Sequence, residues 1–133
     1  MKRIKVIAFD ADDTLWVNEP FFRETEALFC DLVKDYASRE EAAAKLFAIE
    51  MKNLKLYGYG VKGFTLSLIE TLGLLSEEKA DFRMVKETIA LGQSILSKPV
   101  SLLDGVEEVL GQLNGNYRLV MATKGDLLDQ ERK

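Results

Sequence analysis

The chain has 133 residues, of which 47% are hydrophobic and 30% are charged, a composition typical of globular rather than disordered proteins. The formal net charge is −4, and no cluster of lysine and arginine is long enough to indicate nucleic-acid binding. Histidine is absent, which excludes Ser-His-Asp and Cys-His catalysis, histidine-based zinc sites and imidazole acid–base chemistry. Catalysis would therefore depend on carboxylates, hydroxyls, lysine, tyrosine or a hard metal ion.

The amino-terminal sequence does not predict a targeting peptide. Its apolar run, residues 4–9, is too short for a secretory signal and leads directly into acidic residues. No stretch reaches the ~18 consecutive apolar residues of a membrane-spanning helix. Cys30 is the single cysteine, so no internal disulfide can form. We therefore expect a cytoplasmic protein without membrane or nucleic-acid partners.

The first predicted element is a β-strand at residues 4–9. This run is nearly all apolar and is bounded by charged residues, a pattern typical of a strand buried on both faces of a parallel sheet. Such strands lie centrally in α/β folds, so we expect this one to be central.

The region from residue 19 to about residue 96 is predicted to be helical. Apolar residues recur there at helical spacings, and we find no convincing strand. Breaks at residues 57–60 and 73–76 divide the region into about four helices. Glu77 and Glu78 suit the first turn of a helix, where acidic side chains interact favourably with the helix dipole.

Beyond Pro99 the sequence returns to alternating helix and strand. Asp104 is the expected N-cap of a helix, with Glu107 placed to reach back to it. Residues 114–116 (NGN) end that helix, and residues 117–122 predict a second buried strand followed by a polar turn.

This order of elements predicts an α/β fold. We expect residues 1–16 and 99–133 to form a parallel-sheet core, and residues 17–98 to form an inserted helical cap.

The strongest chemical signal is the acidic segment DADDT at residues 10–14, directly after the first strand. Ligands of open α/β sheets bind outside the carboxyl ends of the strands. Clustered carboxylates repel one another, and Mg²⁺, which prefers oxygen ligands, would offset that repulsion. A carboxylate can attack phosphorus, and a second one two residues later can act as acid and base. The alternative is a solvated acidic turn. An EF-hand is excluded because Leu15 occupies its obligatory glycine position.

Two segments, VIAFDADDTLW and LVMATKGD, resemble the first and second signatures of the haloacid dehalogenase-like (HAD) hydrolase superfamily. The stretch between them looks like the all-helical cap that many members insert after the first strand. The resemblance implies a Rossmann-like core and a Mg²⁺-dependent phosphatase in which Asp10 is the nucleophile and a metal ligand. Asp12 would be the general acid–base and contact the metal through its backbone carbonyl. Thr123 would donate its hydroxyl to the phosphoryl oxygens.

Within the superfamily, the resemblance favours phosphoester chemistry. Dehalogenating members lack an acid at the position of Asp12, and ion pumps have a lysine at the position of Ala11. Thr14 matches the phosphatases, and we expect it to order the turn together with Asp13 more than to touch substrate. Lys124 is a candidate phosphate-binding residue, although it matches no catalytic lysine of the family and is alternatively a solvated turn residue.

In the insertion, residues 57–63 (YGYGVKG) form an unusual glycine- and tyrosine-rich stretch. We hypothesise that this loop approaches Asp10 and selects the leaving group, with Tyr59 and Lys62 as substrate-binding residues. The alternative is an ordinary connection between helices. Trp16 and the pair at residues 21–22 are expected to pack at the hinge between core and cap, and Trp16 alternatively forms a wall of the site.

The family's third signature is a lysine, and its fourth is an acidic pair that completes the magnesium site. Neither is identified in this sequence, and Lys133 follows Thr123 too closely to be assigned as that lysine. We therefore expect an incomplete core whose exposed sheet edge permits self-association.

The first functional hypothesis is hydrolysis of a small phosphorylated metabolite. The alternatives are a phosphomutase and a truncated, catalytically incompetent fragment or interaction module. A receiver-type phosphoacceptor is disfavoured because it would not carry a long helical insertion.

Overall fold

The computed structural model describes residues 3–133, which begin with a strand, continue through four helices and end with a helix–strand–helix segment. In chain order the elements are β1 (Val6–Phe9), α1 (Glu19–Leu32), α2 (Arg39–Tyr57), α3 (Val61–Leu75), α4 (Phe82–Ile95), α5 (Val106–Leu113), β2 (Arg118–Met121) and α6 (Leu127–Arg132). The predicted α/β fold and the four helices of the insertion are confirmed.

The described residues group into two units, each made from two separate stretches of chain. The first contains the residues up to Pro20 together with Pro99–Lys124, and the second contains Phe21–Lys98 and Gly125–Lys133. The second unit thus includes residues that follow β2, which differs from the core and cap boundaries expected from the sequence. Those boundaries remain a prediction.

The sheet of the first unit is a parallel pair, β1 and β2. The register places Val6 opposite Arg118 and Phe9 opposite Met121. One further hydrogen bond continues the ladder, because the amide of Ala122 donates to the carbonyl oxygen of Phe9 at 2.8 Å. Both strands therefore end at the same edge.

The predictions that β1 is buried on both faces and that β2 is a buried strand are wrong for the described residues. Val6 is 50% exposed, and Met121 is 48% exposed. Within residues 3–133 each strand pairs only with the other, and α5 contributes no fully buried side chain. An apolar sequence indicates that a strand tends to be buried, but its actual burial also depends on which helices or strands pack against it.

Two predicted helix starts are also corrected. α5 begins at Val106, and its N-cap is Gly105 with φ of 80°, so Asp104 does not cap it. Glu77 and Glu78 precede α4 in a turn with positive φ, and α4 is capped by Asp81 instead. In both places a residue with a left-handed backbone conformation interrupts the helical geometry before the helix can form. The helix therefore begins later in the chain than expected.

The helices of the second unit have recognisable local signals. Ser38 and Glu41 form a capping box at the start of α2, in which each side chain accepts a hydrogen bond from the other residue's amide. Hydrogen bonding of the Glu41 carboxylate to Ser38, first to its backbone amide and then to its side chain, lowers the pKa of Glu41. The helix ends at Gly58, whose φ of 70° suits glycine.

The core of this unit is a single apolar cluster between the helices, with Phe22 packed edge-on against Phe64 at a ring separation of 5.1 Å. Its buried members are Phe29, Cys30, Val33, Ala42, Leu46, Val61, Phe64, Leu68, Leu72 and Ile95. Phe21 and Phe22, expected at the hinge, pack against this cluster. None of the helices in residues 3–133 combines the length and apolarity needed to cross a membrane.

α3 and α4 approach each other closely at Gly92. A Cβ atom at Gly92 would lie 2.9 Å from the Cβ of Thr65 and would overlap the Thr65 hydroxyl. Thr65 is held in place because its hydroxyl donates to the carbonyl of Val61 at 2.8 Å. The absence of a side chain at Gly92 is thus what allows the two helices to pack.

We expect Gly92→Ala to lower the free energy of unfolding by about 1–3 kcal/mol, because the added methyl group overpacks the helix interface. Gly73→Ala is the matched control: it lies in α3 with no atom within 4 Å of the added carbon. Its higher helix propensity should stabilise the protein by up to about 1 kcal/mol. Urea unfolding followed by circular dichroism measures both, and equal shifts of the same sign would contradict the packing assignment.

Candidate active site

The predicted nucleophile and the predicted phosphate ligand lie at the same edge of the sheet. Asp10 directly follows β1, and Thr123 follows β2 after one intervening residue. Because Phe9 is opposite Met121 in a parallel pair, both residues leave the sheet at the carboxyl ends of neighbouring strands. This edge is where open α/β sheets bind ligands.

Asp10 is oriented by a residue of its own turn. The Thr14 hydroxyl lies 3.1 Å from Asp10 Oδ2 and donates to it. Thr14 reaches this position because the chain turns immediately after Asp10: the amides of Thr14 and Leu15 both donate to the carbonyl of Ala11. Among residues 3–133, no donor contacts Asp10 Oδ1. One oxygen is therefore held while the other keeps its lone pairs, as a nucleophile requires.

Asp12 accepts a hydrogen bond from the indole of Trp16. Trp16 Nε1 lies 2.8 Å from Asp12 Oδ1. The indole is itself fixed, since Trp16 is only 5% exposed and packs with Ala11 and Leu15. The sequence predicted that Trp16 packs at the hinge between core and cap or forms a wall of the site. The structure shows in addition a direct hydrogen bond to Asp12, which the sequence pattern did not reveal.

The third aspartate of the segment has a structural role. Asp13 Oδ1 accepts hydrogen bonds from the amides of Asn18 and Glu19, each at 2.9 Å, at the start of α1. Asp13 also adopts a left-handed backbone with φ of 58°. It therefore orders the turn, as expected, and its carboxylate serves the first turn of the helix.

The chain segments that lead into and out of the insertion pair with each other. Trp16 forms an antiparallel bridge with Leu102, flanked by hydrogen bonds from Val17 to Ser101 and from Leu103 to Leu15, each of 2.9 Å. The backbone that follows the acidic turn is thus anchored at Trp16 to the segment that returns from the insertion.

The glycine-rich loop before α3 is fixed by a residue that sequence reasoning missed. The backbone amide of Lys62 donates to Asp126 Oδ2 at 2.8 Å. A Cβ atom at Gly60 would lie 2.8 Å from Asp126 Cγ, so glycine is needed for this approach. Gly60 occupies the N-cap of α3 and has no side chain to cap it. The Asp126 carboxylate supplies the acceptor that Gly60 lacks, and no local sequence pattern links the two residues.

The remaining candidate residues are at the surface. Thr123 and Lys124 are exposed after β2. Tyr59 is 58% exposed, and Lys62 is also exposed; both belong to the second unit. Lys133 differs from these residues, because its side chain is only 6% exposed. It directly follows α6 and forms an ion pair of 3.4 Å with Asp129 of that helix.

Cys30 is not a candidate nucleophile. It is buried in the apolar cluster of the second unit, and this burial, reinforced by the nearby Glu26 carboxylate, raises the pKa of its thiol. A raised pKa lowers the fraction of reactive thiolate.

Comparison with known proteins identifies the family to which the chain belongs. A family model described as haloacid dehalogenase-like hydrolase matches residues 4–133. The fold is also similar to the crystal structure of a haloacid dehalogenase-like family hydrolase from Xanthomonas campestris, with a TM-score of 0.90 and 39% sequence identity over 98% of this chain. The chain spans 55% of the length of that protein. No curated protein shows a significant match. From its sequence signatures, its strand-end geometry and these similarities, the chain belongs to the haloacid dehalogenase-like hydrolase family.

Proposed function

We propose that the protein is a Mg²⁺-dependent phosphatase that hydrolyses a small phosphorylated metabolite through an aspartyl-phosphate on Asp10. The proposal rests on the hydrogen bonding of the two oxygens of the Asp10 carboxylate at the end of β1. Thr14 holds its Oδ2, no donor within residues 3–133 engages its Oδ1, and Thr123 follows the neighbouring strand.

In the first half-reaction, Asp10 Oδ1 forms a bond to phosphorus while the ester bond on the opposite side breaks. The leaving oxygen takes a proton from the carboxyl group of Asp12, which becomes a carboxylate. The hydroxyl of Thr123 donates to a phosphoryl oxygen and stabilises the charge that develops there.

In the second half-reaction, Asp12 removes a proton from water as the water attacks the phosphorus. The bond between phosphorus and Asp10 breaks, and inorganic phosphate leaves. The two aspartates return to their starting protonation states, so no other reactant is consumed.

The donor groups at this edge fit a hard divalent cation. The Asp10 carboxylate and the Asp12 backbone carbonyl are oxygen donors, and Mg²⁺ is commonly held by one or two carboxylates plus waters and substrate phosphate oxygens. Residues 3–133 contain no group of three or more aspartate, glutamate, histidine or cysteine side chains that could hold a metal ion. The neighbouring Asp13 carboxylate accepts hydrogen bonds at the start of α1. Asp10 and Asp12 would hold the ion, which would neutralise charge on the transferred phosphoryl group.

We further propose the class of substrate and the cellular location of the protein. The net charge of −4 and the absence of a basic cluster support a small-molecule substrate rather than nucleic acid, and the single cysteine supports a cytoplasmic location.

Tyr59 and Lys62 remain proposed specificity residues, and Lys124 remains a proposed phosphate-binding residue. The exposed apolar residues Ile4 and Val6 support self-association along β1.

We expect Asp10→Asn in the full-length protein to abolish hydrolysis of an aryl phosphate, because a neutral amide cannot attack phosphorus or bind the cation. The far-ultraviolet circular dichroism spectrum should be unchanged. Asp35→Asn, at an exposed position in the second unit, is the control and should retain full turnover. Substantial turnover by Asp10→Asn would contradict its role as nucleophile.

We expect Asp12→Asn to slow hydrolysis of an alkyl phosphate by roughly 10²–10⁴-fold, since its poor leaving group needs a proton. Formation of the phosphoenzyme from a nitrophenyl phosphate, whose leaving group needs little protonation, should be affected less. Rapid-mixing kinetics with both substrates measure the difference. Normal hydrolysis of the alkyl phosphate would remove Asp12 from the mechanism.

We expect chelation of divalent cations to abolish turnover and addition of Mg²⁺ to restore it. Ca²⁺ should restore it poorly, because it favours a larger and less regular coordination shell. A titration of activity against each ion makes the measurement, and full activity in excess chelator would contradict the metal assignment.

A further inference from the structure

We propose that Trp16 is a positioning residue for proton transfer: its indole N–H fixes the Asp12 carboxyl group through Oδ1 and assigns the proton transfer to Oδ2. This inference rests on the proposed role of Asp12 as acid and base. The two residues are four positions apart in one turn, and the hydrogen bond between them is 2.8 Å long and partly buried.

The chemistry of the indole determines which Asp12 oxygen carries a proton. An indole nitrogen is a donor and never an acceptor. Asp12 Oδ1 must therefore present a lone pair to Trp16 Nε1 in both protonation states of the carboxyl group. The carbonyl oxygen of a carboxylic acid is a stronger acceptor than its hydroxyl oxygen, so protonated Asp12 keeps its carbonyl oxygen, Oδ1, at the indole and carries its O–H on Oδ2. Oδ2 then gives the proton to the leaving oxygen as the ester bond breaks. The same Oδ2 then takes a proton from the attacking water.

Trp16 can impose this orientation because it is itself immobilised. Its side chain is 5% exposed and packs with Ala11 and Leu15, with Phe9 and Val106 partly buried against the same cluster. Its carbonyl accepts a hydrogen bond of 2.8 Å from the amide of Asp13. A donor held by packing and by backbone hydrogen bonds offers the carboxyl group a single position.

Tryptophan at position 16 combines a large apolar ring, which fills the space beside Ala11, with an N–H group that donates to Asp12. A large apolar side chain alone would fill the space beside Ala11, but a buried indole N–H also needs an acceptor. Asp12 is that acceptor. Removing the N–H without removing the ring should leave the packing in place and remove this restraint on Asp12 Oδ1, and small misplacements of a reacting group cost up to about 10²-fold in rate.

The test is Trp16→Phe in the full-length protein, assayed with an alkyl phosphate and with a nitrophenyl phosphate. We expect kcat for the alkyl phosphate to fall by about 10- to 100-fold, with a loss below roughly threefold for phosphoenzyme formation from the nitrophenyl ester, and with KM unchanged for both. In an Asp12→Asn background, Trp16→Phe should have no further effect on the leaving-group dependence, because the group that it positions is gone.

Leu15→Ala is the matched control for packing. Leu15 is 8% exposed and belongs to the same cluster, but its side chain donates no hydrogen bond. It should lower activity on both substrates equally, if at all. If Trp16→Phe does not fold, benzothienylalanine at position 16 keeps the shape of the ring system and replaces the N–H with sulfur.

Equal losses on the two substrates for Trp16→Phe, matching those of Leu15→Ala, would reduce Trp16 to a packing residue and overturn the inference. If Asp12→Asn shows the leaving-group dependence and Trp16→Phe does not, only the role of Trp16 fails. If Asp12→Asn itself lacks that dependence, the proposed acid–base role fails, and the role of Trp16 fails with it.

Discussion

The candidate site depends on one constraint, the parallel register of β1 and β2. Two residues far apart in the chain, Asp10 and Thr123, reach the same edge only because Phe9 is opposite Met121 and the ladder continues through Ala122. A slip of one residue would turn every side chain of a strand to the opposite face. The register is therefore the condition that brings the two sequence signatures to one edge of the sheet.

The acidic turn shows how one short segment divides three like charges among three tasks. Asp10 is held through one oxygen by Thr14, Asp12 is held by Trp16, and Asp13 accepts from the first amides of α1. Each carboxylate has a donor of its own, so the group does not rely on a cation alone to tolerate its mutual repulsion. The turn is both the proposed catalytic element and the entry to the helical insertion.

Much of this could be predicted from sequence because it is local or periodic. The strand-to-aspartate boundary, the four helices and the second strand follow from apolar spacing. The start of α5 was missed because Gly105 adopts a left-handed conformation that no spacing encodes. The contact between Lys62 and Asp126 joins residues 64 positions apart, and strand burial depends on which elements cover the sheet. Neither is contained in the pattern of a single segment.

The interleaved order of the two units has a consequence for biosynthesis. β1 leaves the ribosome before the helical insertion, and its partner β2 follows only after the whole insertion. The helical unit is also unfinished at that point, because Asp126 fixes the loop before α3, and the Arg132 guanidinium donates to the carbonyl of Lys98 at 2.9 Å. The helices can form locally during translation, whereas the sheet and the final contacts of the helical unit must wait. Until residues 118–121 emerge, β1 cannot form its pairing with β2, and that edge of the strand is open to association with other chains.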